Sequence, residues 1–424
     1  MSFFHSNRMA WYGHAATAAA LALGALVFLG SLYFEAQRVF LYLHHGLAFR
    51  DAGCSTAYCD YTMFWLAGDL LRHGQAAVLY DHARYTTAAA HILPIKDGYL
   101  PFVYPPTVLA PWAPLSLLPL VPGFYLYSVC VLCISALLLR RAGIPRWCIA
   151  LGLASPAAMW DLYIGQLGLL CGSLLVYGLS RLPAAPKRMG LLLSLLCIKP
   201  QYALLVPVAV LARRRWAAVL TGSAGLALML AVSWVWAGPD VWRAYLSSGR
   251  AGMRALLELP FQYGYQYYGS SVFWMLRSLR FDLGFSYAGQ ALSSVLAVAA
   301  VWRVWRRADM PMMRRLTMTV MLIPFASPYG FTDDLSVWSV MLGTLARKDT
   351  PWRNAALAWL WVAPAYTPRL VATLGFLPTP LLLVTALAIA TSWQNKHYPA
   401  EKIPAPTPQA ETPPQYPATA PKQA

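Results

Sequence analysis

Along most of this chain apolar residues run in long blocks, and polar residues gather in short clusters between them. Such blocks show neither the two-residue alternation of a half-buried strand nor the narrow stripe of a soluble amphipathic helix. They predict helices that are apolar on every side, as bilayer spans are. Twelve spans are expected, at approximately 14–34, 122–139, 147–162, 165–181, 189–199, 201–212, 216–236, 286–302, 316–327, 334–346, 354–366 and 380–393. The fold class this implies is an all-α integral membrane protein, a polytopic helical bundle with interfacial helices outside the cytoplasm. Several spans are shorter than the ~20 residues that cross hydrocarbon unaided, which points to a locally thinned membrane or a water-filled cavity. The first block has no small-residue cleavage site after it and reads as an uncleaved helix.

Two polar stretches interrupt the blocks, at 35–121 and 238–285. Within the first, Pro101, Pro105, Pro106, Pro111, Pro114 and Pro119 forbid a regular helix. That segment is read as interfacial or re-entrant, tolerable where it is buried in protein or lines a cavity. Residues 1–399 form one domain, and the Pro-, Ala-, Thr- and Gln-rich stretch 400–424 is expected to be a disordered cytoplasmic tail.

Composition agrees with a bilayer as solvent: 58% of residues are hydrophobic and only 12% charged, against roughly a quarter charged in soluble domains. The formal net charge of +17 would suggest nucleic acid in a soluble protein. Here the cations lie between apolar blocks, as in Arg140, Arg141 and Arg146, or Arg213, Arg214 and Arg215, or Arg303, Arg306 and Arg307. This is the positive-inside pattern, and it excludes nucleic acid as the partner. An even number of crossings separates these clusters, so both termini are expected in the cytoplasm and both long loops on the opposite face. Of seven cysteines, Cys130, Cys133, Cys148, Cys171 and Cys197 sit in or beside apolar runs and read as packing residues. Cys54 and Cys59 flank a polar stretch in the outer loop, where they are either a disulfide or two free thiols.

Candidate chemistry concentrates in that loop. Asp60 stands where it can cap an amphipathic helix ending at Gly74, with Tyr61, Phe64, Trp65 and Leu66 placed at the membrane interface. A carboxylate held at a water–membrane boundary is either just a cap or also a general base. Lys199, beside Pro200 at the tip of a short hairpin, is either a snorkelling lysine or a positioned cation. The aromatics Phe261, Tyr263, Tyr265, Tyr267, Tyr268, Phe273 and Trp274 form either an interfacial belt or a platform on which sugar rings stack. His44, His45, His73, His82 and His91 have no metal-ligand spacing, and no phosphate-cradling Gly-rich loop occurs.

The order of motifs carries a resemblance. Asp60-Tyr61 followed by Phe64-Trp65 and Ala67, then Gly74 with Leu79-Tyr80-Asp81, then Tyr104-Pro105-Pro106 with Pro111 and Pro114, resembles glycosyltransferase family 87. Ile164-Gly165-Gln166, Lys199-Pro200 with the helix ending at Arg213, Arg214, Arg215 and Trp216, and Ser327-Pro328-Tyr329 extend it over most of 12–345. That family comprises bacterial polyprenyl-phosphate-dependent hexosyltransferases of the GT-C class, including mycobacterial mannosyltransferases that elongate phosphatidylinositol mannosides. After Ser327-Pro328, where many relatives carry a Trp and a His, this chain has Gly330, Phe331, Thr332, Asp333 and Asp334.

The resemblance implies a GT-C-type bundle in the bacterial inner membrane, with its active site on the periplasmic face. It implies an inverting transfer of a hexose, mannose first by analogy, from a polyprenyl-phosphate sugar to a lipid or glycan acceptor. Asp60 matches the first-loop aspartate that serves as catalytic base in GT-C enzymes, and Lys199 matches a family lysine that could hold the donor phosphate; Arg250 or Arg254, from the second outer loop, can add to that cationic site. Tyr61, Trp65, Tyr104, Gln166, Tyr267, Tyr268, Asp333 and Asp334 are expected to line the substrate cleft. The expected partners are membrane lipids, donor and acceptor, and the protein is expected to be a monomer. No cofactor and no metal are called for, although a divalent ion remains compatible with the chemistry. The alternative class is a transporter or flippase of lipid-linked sugars, for which the chain shows no internal repeat.

Overall fold

The computed structural model describes residues 2–46, 59–92, 102–262 and 264–392. The expected tail at 400–424, Cys54 and with it the possible Cys54–Cys59 pairing, and Tyr263 lie outside them. Every regular element among the described residues is a helix, and one isolated bridge joins Gly269 to Phe331. The helices that build the site and its frame are α1 (Ser2–His45), α2 (Cys59–Arg72), α3 (Leu120–Arg141), α4 (Arg146–Leu153), α5 (Pro156–Ile164) and α6 (Gly168–Arg181). They continue as α7 (Pro186–Ser194), α8 (Trp216–Ala237), α9 (Leu283–Arg306), α10 (Met312–Ala326), α11 (Ser336–Gly343) and α12 (Pro351–Val362).

Among the described residues, four helices are long and apolar enough to cross a membrane: α1 from Met9 onward, α3, α8 and α9. A fifth arises if α4 and α5, bent by 55° at their junction, count as one span. These coincide with the blocks at 14–34, 122–139, 216–236, 286–302 and 147–162, so length and composition mark four or five of the twelve expected spans. The other blocks are shorter helices, and two of them, α10 and α11, are packed inside the protein. In α10 every residue from Arg315 to Ala326 is buried, and α11 is buried from Ser336 to Leu342. A helix surrounded by protein is as apolar as one surrounded by lipid. The long helices, by contrast, leave Leu26, Leu29, Leu220, Val235, Leu292 and Val295 exposed. So broad an apolar exterior is the surface of a membrane protein.

Small residues bring the helices together, as expected where apolar burial alone does not drive association. Gly24 of α1 lies under the ring of Trp361 in α12, and a Cβ there would stand 2.0 Å from Cζ3. Gly190 of α7 faces Ala218 and Thr221 of α8, and Gly225 of α8 faces Ser194. The proline-rich segment is broken into short turns at Pro106–Val108, Leu109–Trp112 and Leu115–Leu117, with Pro106, Thr107, Val108, Leu109 and Trp112 buried.

That segment receives α2. Phe64 stacks on Trp112 at 4.5 Å and 9°, Trp65 donates from Nε1 to the Leu118 carbonyl at 2.8 Å, and Arg72 donates to the Ser116 carbonyl at 2.9 Å. Tyr61, Phe64 and Leu66, expected at the membrane interface, are fully buried. The proline turns offer α2 an apolar bed of protein, which takes the face that would otherwise need lipid.

Candidate active site

Interruptions of helical structure meet inside the bundle. They are the start of α2 at Asp60, the extended stretch at Tyr104, the turn between α5 and α6, the break at Lys199, and the turn at Asp333 and Asp334 before α11. Each break frees polar groups that an unbroken helix would satisfy internally, and here they satisfy one another.

The α5–α6 turn follows from its residues. Ser155 caps α5 by accepting from Ala158, Pro156 starts the helix, and Gly165 ends it in a left-handed conformation with φ 76°. A Cβ on Gly165 would stand 2.4 Å from Cβ of Tyr61, so glycine is required by conformation and by space. The reversal sets the buried Asp161 carboxylate on the N-terminus of α6, where it accepts from the amides of Gly168 at 2.9 Å and Leu169 at 2.8 Å.

Gln166 follows that glycine and is the hub of one half of the cluster. Its Nε2 donates to Oδ2 of Asp60 at 2.8 Å, and its amide lies against the Tyr104 hydroxyl at 2.9–3.0 Å. Its backbone is held at both ends, by donation to the Asp161 carbonyl at 2.8 Å and by acceptance from the Tyr127 hydroxyl at 2.6 Å. Asp60 itself is half-buried in the first turn of α2. The helix already includes Cys59, two residues before the start at Tyr61 that an Asp60 cap would give, and the carboxylate bonds across to Gln166.

Burial raises the Asp60 carboxyl to about 6; the Gln166 hydrogen bond lowers it, the nearby Asp333 charge raises it, and Lys199 lowers it. Tyr104 is pushed up too, chiefly by burial, and stays a neutral phenol.

The other half is a buried ion cluster. Nζ of Lys199 lies 2.6 Å from Oδ2 of Asp333 and 2.7 Å from Oδ1 of Asp334. Asp334 also accepts from the Phe331 amide at 3.1 Å, and the Tyr202 hydroxyl donates to the Asp334 carbonyl at 3.0 Å. The backbone of Asp333 packs on the N-terminus of α6, where a Cβ on Gly168 would stand 2.2 Å from its carbonyl oxygen.

The structure therefore brings Asp60, Tyr104, Gln166, Lys199, Asp333 and Asp334 together. Tyr268 joins at the margin: its ring stacks on Trp160 at 4.3 Å and 3°, and its carbonyl accepts from Thr332 at 3.0 Å. Tyr61 is buried against Phe124 and Tyr127, a packing residue beneath the site. Trp65 faces the proline segment, and Tyr267 packs on Phe261. Arg250 is exposed, and Arg254 is exposed and paired with Glu258 at 2.7 Å. Asp161, Trp160 and Tyr127 belong to the site and were not singled out from sequence. A carboxylate inside an apolar block is itself a functional signal, and Asp161 carried it.

A family model described as glycosyltransferase family 87 matches residues 102–328, more than half of the chain. The match contains Tyr104, Gln166 and Lys199; Asp60 precedes it, and Asp333 and Asp334 follow it. No curated protein and no solved structure matches the chain.

Proposed function

The chain belongs to glycosyltransferase family 87, which implies glycosyl transfer, and on that premise we propose that it moves a hexose from a polyprenyl-phosphate donor to a lipid or glycan acceptor. One observation carries the reading: a half-buried carboxylate, Asp60, is held by a single neutral donor beside a buried lysine–aspartate cluster in an apolar helical frame. The acceptor hydroxyl attacks the anomeric carbon, its proton passes to Asp60, and the bond from that carbon to the phosphate oxygen breaks. Its electron pair leaves with the polyprenyl phosphate, and the anomeric configuration inverts. General-base catalysis contributes roughly 10²–10⁴ in rate.

The departing phosphate needs cationic help. Lys199 reaches it by giving up one of its two carboxylates. Arg250, which is exposed, is a second candidate cation: it follows Gly249, which packs on Tyr80, and the Tyr80 hydroxyl donates to the Tyr104 carbonyl at 2.8 Å. Arg254 follows one helical turn later. We place this chemistry on the extracytoplasmic face of a bacterial inner membrane, because the cation clusters of the chain lie away from the loops that carry Asp60 and Arg250. Incubating the purified protein in lipid with radiolabelled polyprenyl-phosphate mannose, glucose and galactose tests the reading. Transfer from at least one to a lipid-extractable or glycan product is expected; none from any, with membrane acceptors supplied, sinks it.

A further inference from the structure

Gln166 is held on all sides by groups that leave it one orientation. The Tyr104 hydroxyl lies within reach of both ends of the amide, 3.0 Å from Oε1 and 2.9 Å from Nε2, while the Leu167 amide donates to Oε1 at 3.4 Å and the Asp60 carboxylate can only accept. The NH₂ end is thereby turned to Asp60, whose Oδ2 it meets at 2.8 Å. Gly165 and Gln166 dock as a pair on Asp60 and Tyr61, since Gly165 lacks the Cβ that would strike Tyr61. Tyr104 is fixed in turn by Tyr80, through its carbonyl. Among the described residues, Oδ1 of Asp60 carries no hydrogen bond, so the two carboxylate oxygens are unlike.

We propose that Gln166 is a positioning residue, whose amide holds Oδ2 of Asp60 so that Oδ1 is the oxygen that takes the acceptor proton. This rests on Asp60 being the base. One neutral donor is suited to that work, because a cation in its place would hold the carboxylate too stable to accept a proton. The groups facing Asp60 are Gln166 and Tyr104, which are neutral, Lys199, which is cationic, and Asp333, which is anionic. Lys199 is already answered by Asp333 and Asp334, so the Gln166 donor is the contact that most directly favours the charged form of Asp60.

The test uses the full chain in lipid and two readouts. Carbodiimide labels the protonated carboxyl, so the pH midpoint of Asp60 labelling, read by peptide mass spectrometry, reports its titration without any substrate. In Gln166→Met the midpoint is expected to move to higher pH by about one unit, a tenfold change in ionisation constant. In Gln166→Glu, which keeps the acceptor for Tyr104 and Leu167 and adds a like charge, it is expected to move further. Transfer of radiolabelled polyprenyl-phosphate mannose should show the same movement of the acid limb of kcat/KM, with kcat falling about tenfold or more and donor KM little changed. Tyr104→Phe, which keeps Gln166 but removes one of the groups orienting it, should move the midpoint less, and it decides the matter if the Gln166 variants do not fold. An unmoved midpoint in folded variants overturns the positioning role. Full transfer by Asp60→Asn would overturn the base itself, a failure that the labelling midpoints do not share.

Discussion

Lys199 and Asp333 are 134 positions apart in the chain, yet their charged atoms lie 2.6 Å apart, and Asp334 closes on the same ammonium at 2.7 Å. This contact ties the break before Pro200 to the turn before α11. Lys199 is 3% exposed, so the charges answer one another rather than water.

Removing one partner of such a cluster leaves uncompensated charge in an apolar interior. Lys199→Ala is expected to cost about 3–5 kcal/mol of stability. Adding Asp333→Asn and Asp334→Asn to that variant should recover most of the loss, because the charges then disappear together. Thermal unfolding in one detergent compares the variants. A single Lys199→Ala protein as stable as the parent would mean that the cluster does not hold these breaks together.

For Asp60 the informative change is Asp60→Asn. The new side-chain oxygen still accepts from Gln166, so the local fold is expected to survive, while transfer falls by roughly 10²-fold or more. Initial rates at saturating donor measure it. If the Asn protein turns over at the parent's rate, the base lies elsewhere and Asp333 is the next carboxylate to change.

The Asp60 carboxyl, pushed up to about 6 by burial first and by Asp333 second, also sets a pH dependence. The base works ionised, so kcat/KM is expected to fall as pH drops below about 6. Stability runs the other way. The folded value lies above the unfolded one, so this group favours the fold most below about pH 4 and progressively less as pH rises through about 6. Asp60→Asn removes that titration, and its thermal midpoint should vary less across the interval than the parent's. An acid limb that stays in place in a partly active Asn variant would assign the limb to another group.

Gly165→Ala tests the turn that presents Gln166. A residue with a side chain resists φ near 76° by roughly 1–2 kcal/mol, and the added Cβ meets Tyr61 at 2.4 Å. Both lower stability, and the displaced Gln166 should lower kcat with it. A variant that loses stability yet keeps kcat would separate the turn from the chemistry.

Sidedness can be read directly. Reporter fusions after Arg141, Arg215 and Arg307 are expected to report cytoplasm, and fusions at Asp81 and Gly252 the opposite face. A cytoplasmic report at Asp81 would move the proposed chemistry to the other side of the membrane.

Much of the site was legible because its residues break local rules. Asp60 stands before an aromatic run, Lys199 interrupts apolar sequence, and Gln166 follows a glycine within an apolar block. Asp161 broke the same rule and passed unnoticed inside an expected span. The aromatic stretch gave no means of telling Tyr268, which reaches Trp160, from Tyr267, which turns to Phe261. Neighbours on one short turn differ in direction, and direction depends on what the turn packs against.

The chain by itself determined that this is an all-helical protein with a membrane for a solvent, because hydropathy is a property of each residue summed over a block. It could not determine how many blocks span, since burial in protein and burial in lipid demand the same side chains; α10 and α11 are apolar for the first reason. Tertiary structure alone decided that Asp60 meets Gln166, 106 positions away, and that Lys199 meets Asp333 and Asp334. Those contacts arise where helices stop, and the place at which separate stops coincide depends on glycines that let α1 reach α12 and α7 reach α8. Close approach of backbones is a relation between distant segments, and no single segment encodes it.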